Sequence, residues 1–163
     1  MKLDISEIVN FQELKPLLSL AINLQKICVR LGTWPIIYGS VAYSVHTNDW
    51  SNGVNDVDFL VKEALFDGLA DAVSRDVPDA QCEITTYHSL KILKNSLKIS
   101  FDSIEHYLKT ASGEFTTVSI DGNELHLLNR ISLLGCYQQG VETIPSKSEI
   151  YAAKANVLSL AIS

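Results

Sequence analysis

The sequence is poor in several things, and each shortage removes a class of protein. It has three cysteines, Cys28, Cys82 and Cys136, far apart and odd in number. They form neither a paired framework nor a metal-ligand spacing, and read as small core residues in a reducing compartment. No segment is apolar for long enough to span a bilayer. The first residues, MKLDISEIVNFQELK, carry acids and lead to no small-residue cleavage site, so they are not a secretory signal. Those two absences make a cytoplasmic location the expectation. Basic residues are outnumbered, 13 Lys and Arg against 19 Asp and Glu, for a net charge of −6. That argues against broad binding to duplex nucleic acid, but not against one nucleotide whose charge a metal offsets locally. His46, His88, His106 and His126 contain no pair at ligand spacing, which disfavours a histidine zinc site. There is no Gly-x-Ser-x-Gly elbow and no Walker-type loop. At 163 residues the chain is expected to be one domain with a core of its own.

What is present centres on Pro35 to Val61, PIIYGSVAYSVHTNDWSNGVNDVDFLV. It reads as a short buried strand, a Gly39-Ser40 turn, a helix over Val41 to His46, a polar loop, and a second strand opening Asp56-Val57-Asp58. Strand side chains alternate, so Asp56 and Asp58 share one face and Val57 and Phe59 the other. Two carboxylates that close repel unless a cation lies between them. Mg2+ is commonly held by one or two carboxylates plus substrate phosphates. A Gly-Ser pair after a strand lets the backbone turn sharply against a ligand, and the following helix aims its free N–H groups at the turn. The alternative for Asp-x-Asp alone is two solvated acids at a strand start.

This stretch resembles the nucleotidyltransferase superfamily related to DNA polymerase β, in its minimal and antibiotic-modifying forms. The family pattern is an apolar strand, Gly-Ser, a short helix, Asp-x-Asp on the next strand, and a third carboxylate on a later strand. The resemblance implies an α+β fold: a small mixed sheet of four to six strands, helices packed on one face, and a helical C-terminus. It implies that Asp56 and Asp58 bind Mg2+ or Mn2+, that Gly39 and Ser40 contact phosphates, and that an NTP, with ATP expected, is co-substrate. For the third metal carboxylate, which the resemblance implies binds a second ion and helps deprotonate the acceptor hydroxyl, Asp102 is the candidate, with Glu105 in reserve. Asp102 has a second reading as N-cap of a helix beginning Ser103-Ile104-Glu105. Lys98 lies on the face of Asp102 and is placed to meet a phosphate.

The rest of the chain supplies the frame. Leu14, Leu17, Leu18, Ala21, Leu24, Cys28 and Leu31 recur at three- and four-residue steps, one face of a helix. Pro16 suits a first turn, so this helix is expected to start near Glu13, after a shorter segment around residues 5–11. Trp50 in the polar loop is read as docked on the domain edge, the alternative being a base-stacking ring. His46 reads as a surface histidine. A helix over Leu65 to Ser74 precedes strand candidates at Cys82 to Tyr87, Leu90 to Leu93 and Leu97 to Asp102. Phe115 to Ile120 and Glu124 to Leu128 flank a Gly turn as a hairpin. A helix from Arg130 is ended by Gly140, and Ser146 or Ser148 caps a last helix to Ile162. The expected organisation is an N-terminal helix over 1–31, a core over 34–128 and C-terminal helices over 130–162.

The expected activity is metal-dependent transfer of a nucleoside monophosphate from an NTP to a hydroxyl on a small molecule, protein or RNA. The alternative is a degenerate scaffold that binds a nucleotide or a partner protein, as in a toxin–antitoxin pair. Many members carry an Arg before the acidic pair and a Lys in the helix after the hairpin. Loop 48–55 has no basic residue here and the helix has only Arg130, which keeps the alternative open. A homodimer or a helical partner protein could supply a missing wall for the acceptor.

Overall fold

The apolar stripe after Glu13 folds as α1 (Phe11–Arg30), burying Leu14, Leu17, Leu18, Ala21, Leu24 and Cys28. This computed structural model describes residues 11–108 and 113–160. The short segment expected around 5–11 falls almost wholly outside them. Pro16 lies inside α1 and not in its first described turn. It sits on the exposed side, as does Gln12, so the carbonyl left without a proline N–H can face water. Leu31 lies past the helix end and is 41% exposed, so it does not extend the buried stripe as expected.

After α1 come β1 (Ile36–Tyr38), α2 (Gly39–Thr47) and β2 (Asp56–Val61). A 3-10 turn at Glu63–Leu65 leads into α3 (Phe66–Asp76). Then follow β3 (Gln81–Thr85), β4 (Ser89–Lys94), β5 (Leu97–Ser103), α4 (Ile104–Tyr107), β6 (Phe115–Ile120) and β7 (Asn123–Leu128). α5 (Arg130–Thr143), a 3-10 turn at Pro145–Lys147 and α6 (Ser148–Leu160) complete the described chain.

Among the described residues seven strands form one sheet, in the order β3-β4-β5-β2-β1-β7-β6. That exceeds the four to six expected, because both short candidates after α3 join β5 in an antiparallel meander. The turns are tight: His88, Asn95 and Ser96 take left-handed backbone at the reversals. β2 pairs with β5, and β1 with β7, in parallel, so the sheet is mixed. Alternation gives it an apolar side: Val57, Phe59, Ile92, Ile99 and Phe101 are at most 1% exposed. Phe59 and Phe101 are opposite each other in register and stack at 4.9 Å. α1 packs against β2 and β5, and α3 against β3 and β4.

α5 and α6 pair with each other and pack on α2. Gly140, the expected stop of α5, does not end it: the helix runs on to Thr143 with Gly140 buried inside it. Its function is close approach, since a Cβ there would lie 2.6 Å from Cδ2 of Tyr151 on α6. Gly140→Ala should therefore push the two helices apart. Overpacking of this kind costs ~1–3 kcal/mol against less than about 1 kcal/mol gained in helix propensity. A melting temperature lower by a few degrees is the expected result, and an unchanged or higher one would contradict the packing.

Candidate active site at the Gly-Ser turn and the acidic strand

β1 runs antiparallel to β2, which brings the end of one to the start of the other and sets Tyr38 opposite Asp58. α2 begins directly at Gly39, two residues earlier than expected, so Gly39 and Ser40 form its first turn. Tyr38 precedes it without a side-chain cap, leaving the first N–H groups without that partner. Gly39 has φ +68°, and a Cβ on it would lie 2.6 Å from Oδ2 of Asp58. Turn and carboxylate are thus in direct contact, and only glycine fits between them.

Asp56 and Asp58 share a face as alternation requires, both half-buried, while Val57 and Phe59 are fully buried behind them. Burial pushes the Asp58 carboxyl up to about 7, helped by the negative charges of Asp56 and Asp102. Lys91 and Lys147 pull in the opposite direction.

Across the parallel pairing, Lys98 stands opposite Asp56, Ser100 opposite Asp58, and Asp102 opposite Leu60. All six share one face, so Lys98 and Asp102 lie on the side of the acidic pair. Asp102 is one pairing step beyond Asp58 and only 6% exposed. Its Oδ1 accepts from Ser89 Oγ and Ser100 Oγ, both at 2.6 Å, and its Oδ2 accepts from the Tyr38 hydroxyl. Burial and the adjacent Asp102 hold that phenol well above its ordinary range. Asp102 is not the helix cap: Ser103 Oγ accepts from the His106 N–H at 3.2 Å and caps α4. Asp102 is still a strand residue, and its side chain is turned to the sheet face. Glu105 is turned elsewhere. It accepts from Ser103 Oγ at 2.8 Å and from the Glu63 N–H at 3.1 Å. Glu63 in turn accepts from His88 Nδ1 at 2.6 Å, and His88 stacks on His106 at 4.2 Å.

A cleft of about 300 Å³ opens beside the pair, lined by Asp56, Glu83, Lys91, Leu93, Lys98 and Ser100. Lys91 Nζ donates to Ser100 Oγ at 2.9 Å. Among the described residues no three His, Cys, Asp or Glu side chains gather as a ready metal cage. Asp56 and Asp58 suit a hard cation that brings its own phosphate and water ligands. The repulsion and burial that raise the Asp58 pKa are what such a cation would relieve.

Two basic residues that local sequence reading missed complete the site. Lys147 and Lys154, before and on α6, both act on Asp58 electrostatically. Lys154 Nζ lies over the rings of Tyr43 and Tyr137, at 5.1 and 5.4 Å from their centroids. Burial lowers its pKa, and the acidic pair pulls it back up. The Tyr137 hydroxyl beside it is buried without a hydrogen-bond partner. No local pattern flags these residues, because they arrive from almost a hundred residues beyond the acidic pair.

Two other expectations resolve simply. Trp50 is half-buried against the core, as a docked ring. His46 is not a surface group. Its Nε2 donates to the Leu128 carbonyl at 2.8 Å, and Arg130 Nη1 donates to the His46 carbonyl at 2.7 Å. Together they tie the end of α2 to β7 and α5. Burial lowers the His46 pKa, and the hydrogen bond to the Leu128 carbonyl opposes that shift. The three cysteines are free. No helix among the described residues is long and apolar enough to cross a membrane.

The chain has the nucleotidyltransferase fold. It is similar to the crystal structure of ANT(2'')-Ia in complex with adenylyl-2''-tobramycin, with a TM-score of 0.64 over 89% of this chain and 88% of that one, at 9% identity. The solution structure of the antibiotic-resistance factor ANT(2'')-Ia matches at a TM-score of 0.57 and 13% identity, covering 88% and 91%. An antigenic nucleotidyltransferase-like protein from Paracoccidioides brasiliensis matches at 0.57 and 15% identity, covering 86% and 73%. No family model and no curated protein matches the sequence.

Proposed function

We propose that this protein is a metal-dependent nucleotidyltransferase that moves a nucleoside monophosphate from an NTP, with ATP expected, to a hydroxyl acceptor. The observation that carries the reading is the contact between Gly39 and Asp58, which holds the turn at the start of α2 against an acidic pair whose mutual repulsion a cation would relieve. The likeness to a structure holding an adenylylated antibiotic supports it.

Asp56 and Asp58 would hold Mg2+ or Mn2+. When bound, the ion supplies charge stabilisation at the phosphates. The N–H groups of Gly39 and Ser40 bind the β- and γ-phosphates at the start of α2. Lys147 and Lys154 take the place of the basic residues absent from loop 48–55, and Lys98 meets a phosphate from the β5 side. The acceptor oxygen bonds to the α-phosphorus, the bond to the bridging oxygen breaks, and pyrophosphate leaves. Asp102 serves as the third carboxylate, taking the acceptor proton through the Ser100 hydroxyl that already donates to it.

A second reading, a chain that binds nucleotide or a partner without transfer, is favoured by one feature. Both Asp102 oxygens are already taken by neutral hydroxyls. Titration of ATP, GTP, CTP and UTP, with and without Mg2+, separates these readings when paired with a pyrophosphate-release assay. Metal-dependent binding with release supports transfer. Binding without release, across a panel of hydroxyl acceptors, supports the second reading. No binding by the folded chain overturns both.

A further inference from the structure

On the strand beside Asp56 and Asp58, the residues in register with them are a lysine and a serine, not an acid. The nearest acid on β5, Asp102, is a pairing step away, buried, and already accepts three hydroxyl hydrogen bonds. Two divalent ions a few ångströms apart need several carboxylates to offset their charge. Here the cleft is lined by two, Asp56 and Glu83, with Asp58 half-buried beside them, and Glu83 stands in register with Lys91. The neighbouring strand β4 contributes Lys91, in register with Ser100 and donating to its hydroxyl at 2.9 Å. Ser100 passes the chain of hydrogen bonds to Asp102 at 2.6 Å, so the ammonium is anchored through an oxygen to a buried anion. The charge of Lys91 is felt at Asp58.

We infer that the Lys91 ammonium, seated on Ser100 beside Asp58, stands where a second divalent cation would otherwise sit, so that the site loads a single metal ion with its nucleotide. The inference deepens the proposed function and rests on its assignment of Asp56 and Asp58. Lys91 then supplies positive charge on the acceptor side of the α-phosphate, and the Lys91–Ser100–Asp102 line replaces a third metal-binding carboxylate. A fixed ammonium has one charge and keeps its place without metal, so acceptor-side geometry is set before any ion arrives.

The test counts Mn2+ ions by electron paramagnetic resonance, with the full chain and the non-reacting analogue α,β-methylene-ATP. Wild type is expected to bind one ion per chain at saturation. Lys91→Glu, which places a carboxylate where the ammonium stood, is expected to bind two. Lys91→Met should lower transfer about 10²-fold while the ion count stays at one, and Lys91→Arg should restore most of the rate. Melting temperatures within a degree or two of wild type confirm that the variants fold, since Lys91 is an exposed residue. Two ions in wild type, or a Lys91→Met chain with undiminished transfer, overturns this inference and leaves the proposed function standing. No ion bound at all removes the assignment of Asp56 and Asp58, and the inference with it.

Discussion

Asp58→Asn is expected to abolish metal-dependent nucleotide binding and, above pH 7, to make the chain more stable. The two effects have one cause. Asp58 is held half-buried beside Asp56 and within reach of Asp102, and its carboxyl is raised to about 7. In the unfolded chain the same group ionises near the ordinary carboxylate value of about 4. Between those values the folded state binds a proton that the unfolded state has lost. Stability therefore falls as pH rises through that window, and the full penalty is present above about pH 7. The amide of the Asp58→Asn variant carries no charge and escapes it. Three pKa units correspond to about 4 kcal/mol; partial exposure screens some of this, so about 2–4 kcal/mol is expected. Thermal melts should show the variant and wild type alike at pH 4 and furthest apart at pH 8. Equal melting temperatures at both pH values would remove the electrostatic account.

In the proposed mechanism the same strain would favour metal binding by wild type. Below pH 7 an incoming ion would have to displace a proton from Asp58, so Mn2+ affinity should be about fivefold weaker at pH 6 than at pH 7. Loss of the carboxylate should lower transfer by at least about 10³-fold. Retained transfer in Asp58→Asn would sink the mechanism.

Gly39→Ala should be nearly as damaging to activity, for a geometric reason. Its φ of +68° costs an L-residue ~1–2 kcal/mol, and the new Cβ would lie 2.6 Å from Asp58 Oδ2. Asp58 must move, and a displacement of about 1 Å at a reacting site costs on the order of 10²-fold in rate. The melting temperature should drop as well. A double variant distinguishes the two contributions. In the Asp58→Asn background, Gly39→Ala can cause no further loss of metal binding, while its backbone cost in the melt persists. If Gly39→Ala transfers at the wild-type rate, the contact between turn and carboxylate is not what organises the site.

Much of this site is legible in a short stretch of sequence because its signals are local. A strand alternates with period 2 whatever it pairs with, so the shared face of Asp56 and Asp58 follows from their spacing. A Gly-Ser pair after an apolar run requires a turn, and Gly39 makes it at the start of α2. The stripe of α1 is likewise periodic, which is why six of its seven expected core residues are buried and only Leu31, past the helix end, is not.

What tertiary structure decided is everything that depends on which strands and helices become neighbours. Asp102 could be read as cap or as site residue, and only its pairing with Leu60 on β2 and Ser89 on β4 places it on the acidic face. Gly140 has the look of a helix stop and is instead a contact point, because Tyr151 arrives from another helix. Lys147 and Lys154 are unremarkable in sequence, and act on Asp58 electrostatically because α6 packs on α2. Register and helix packing are set by burial summed over the whole core, not by any short window. Local chemistry therefore specified the acids and the turn, and the assembled sheet and helix pair determined which charges face them.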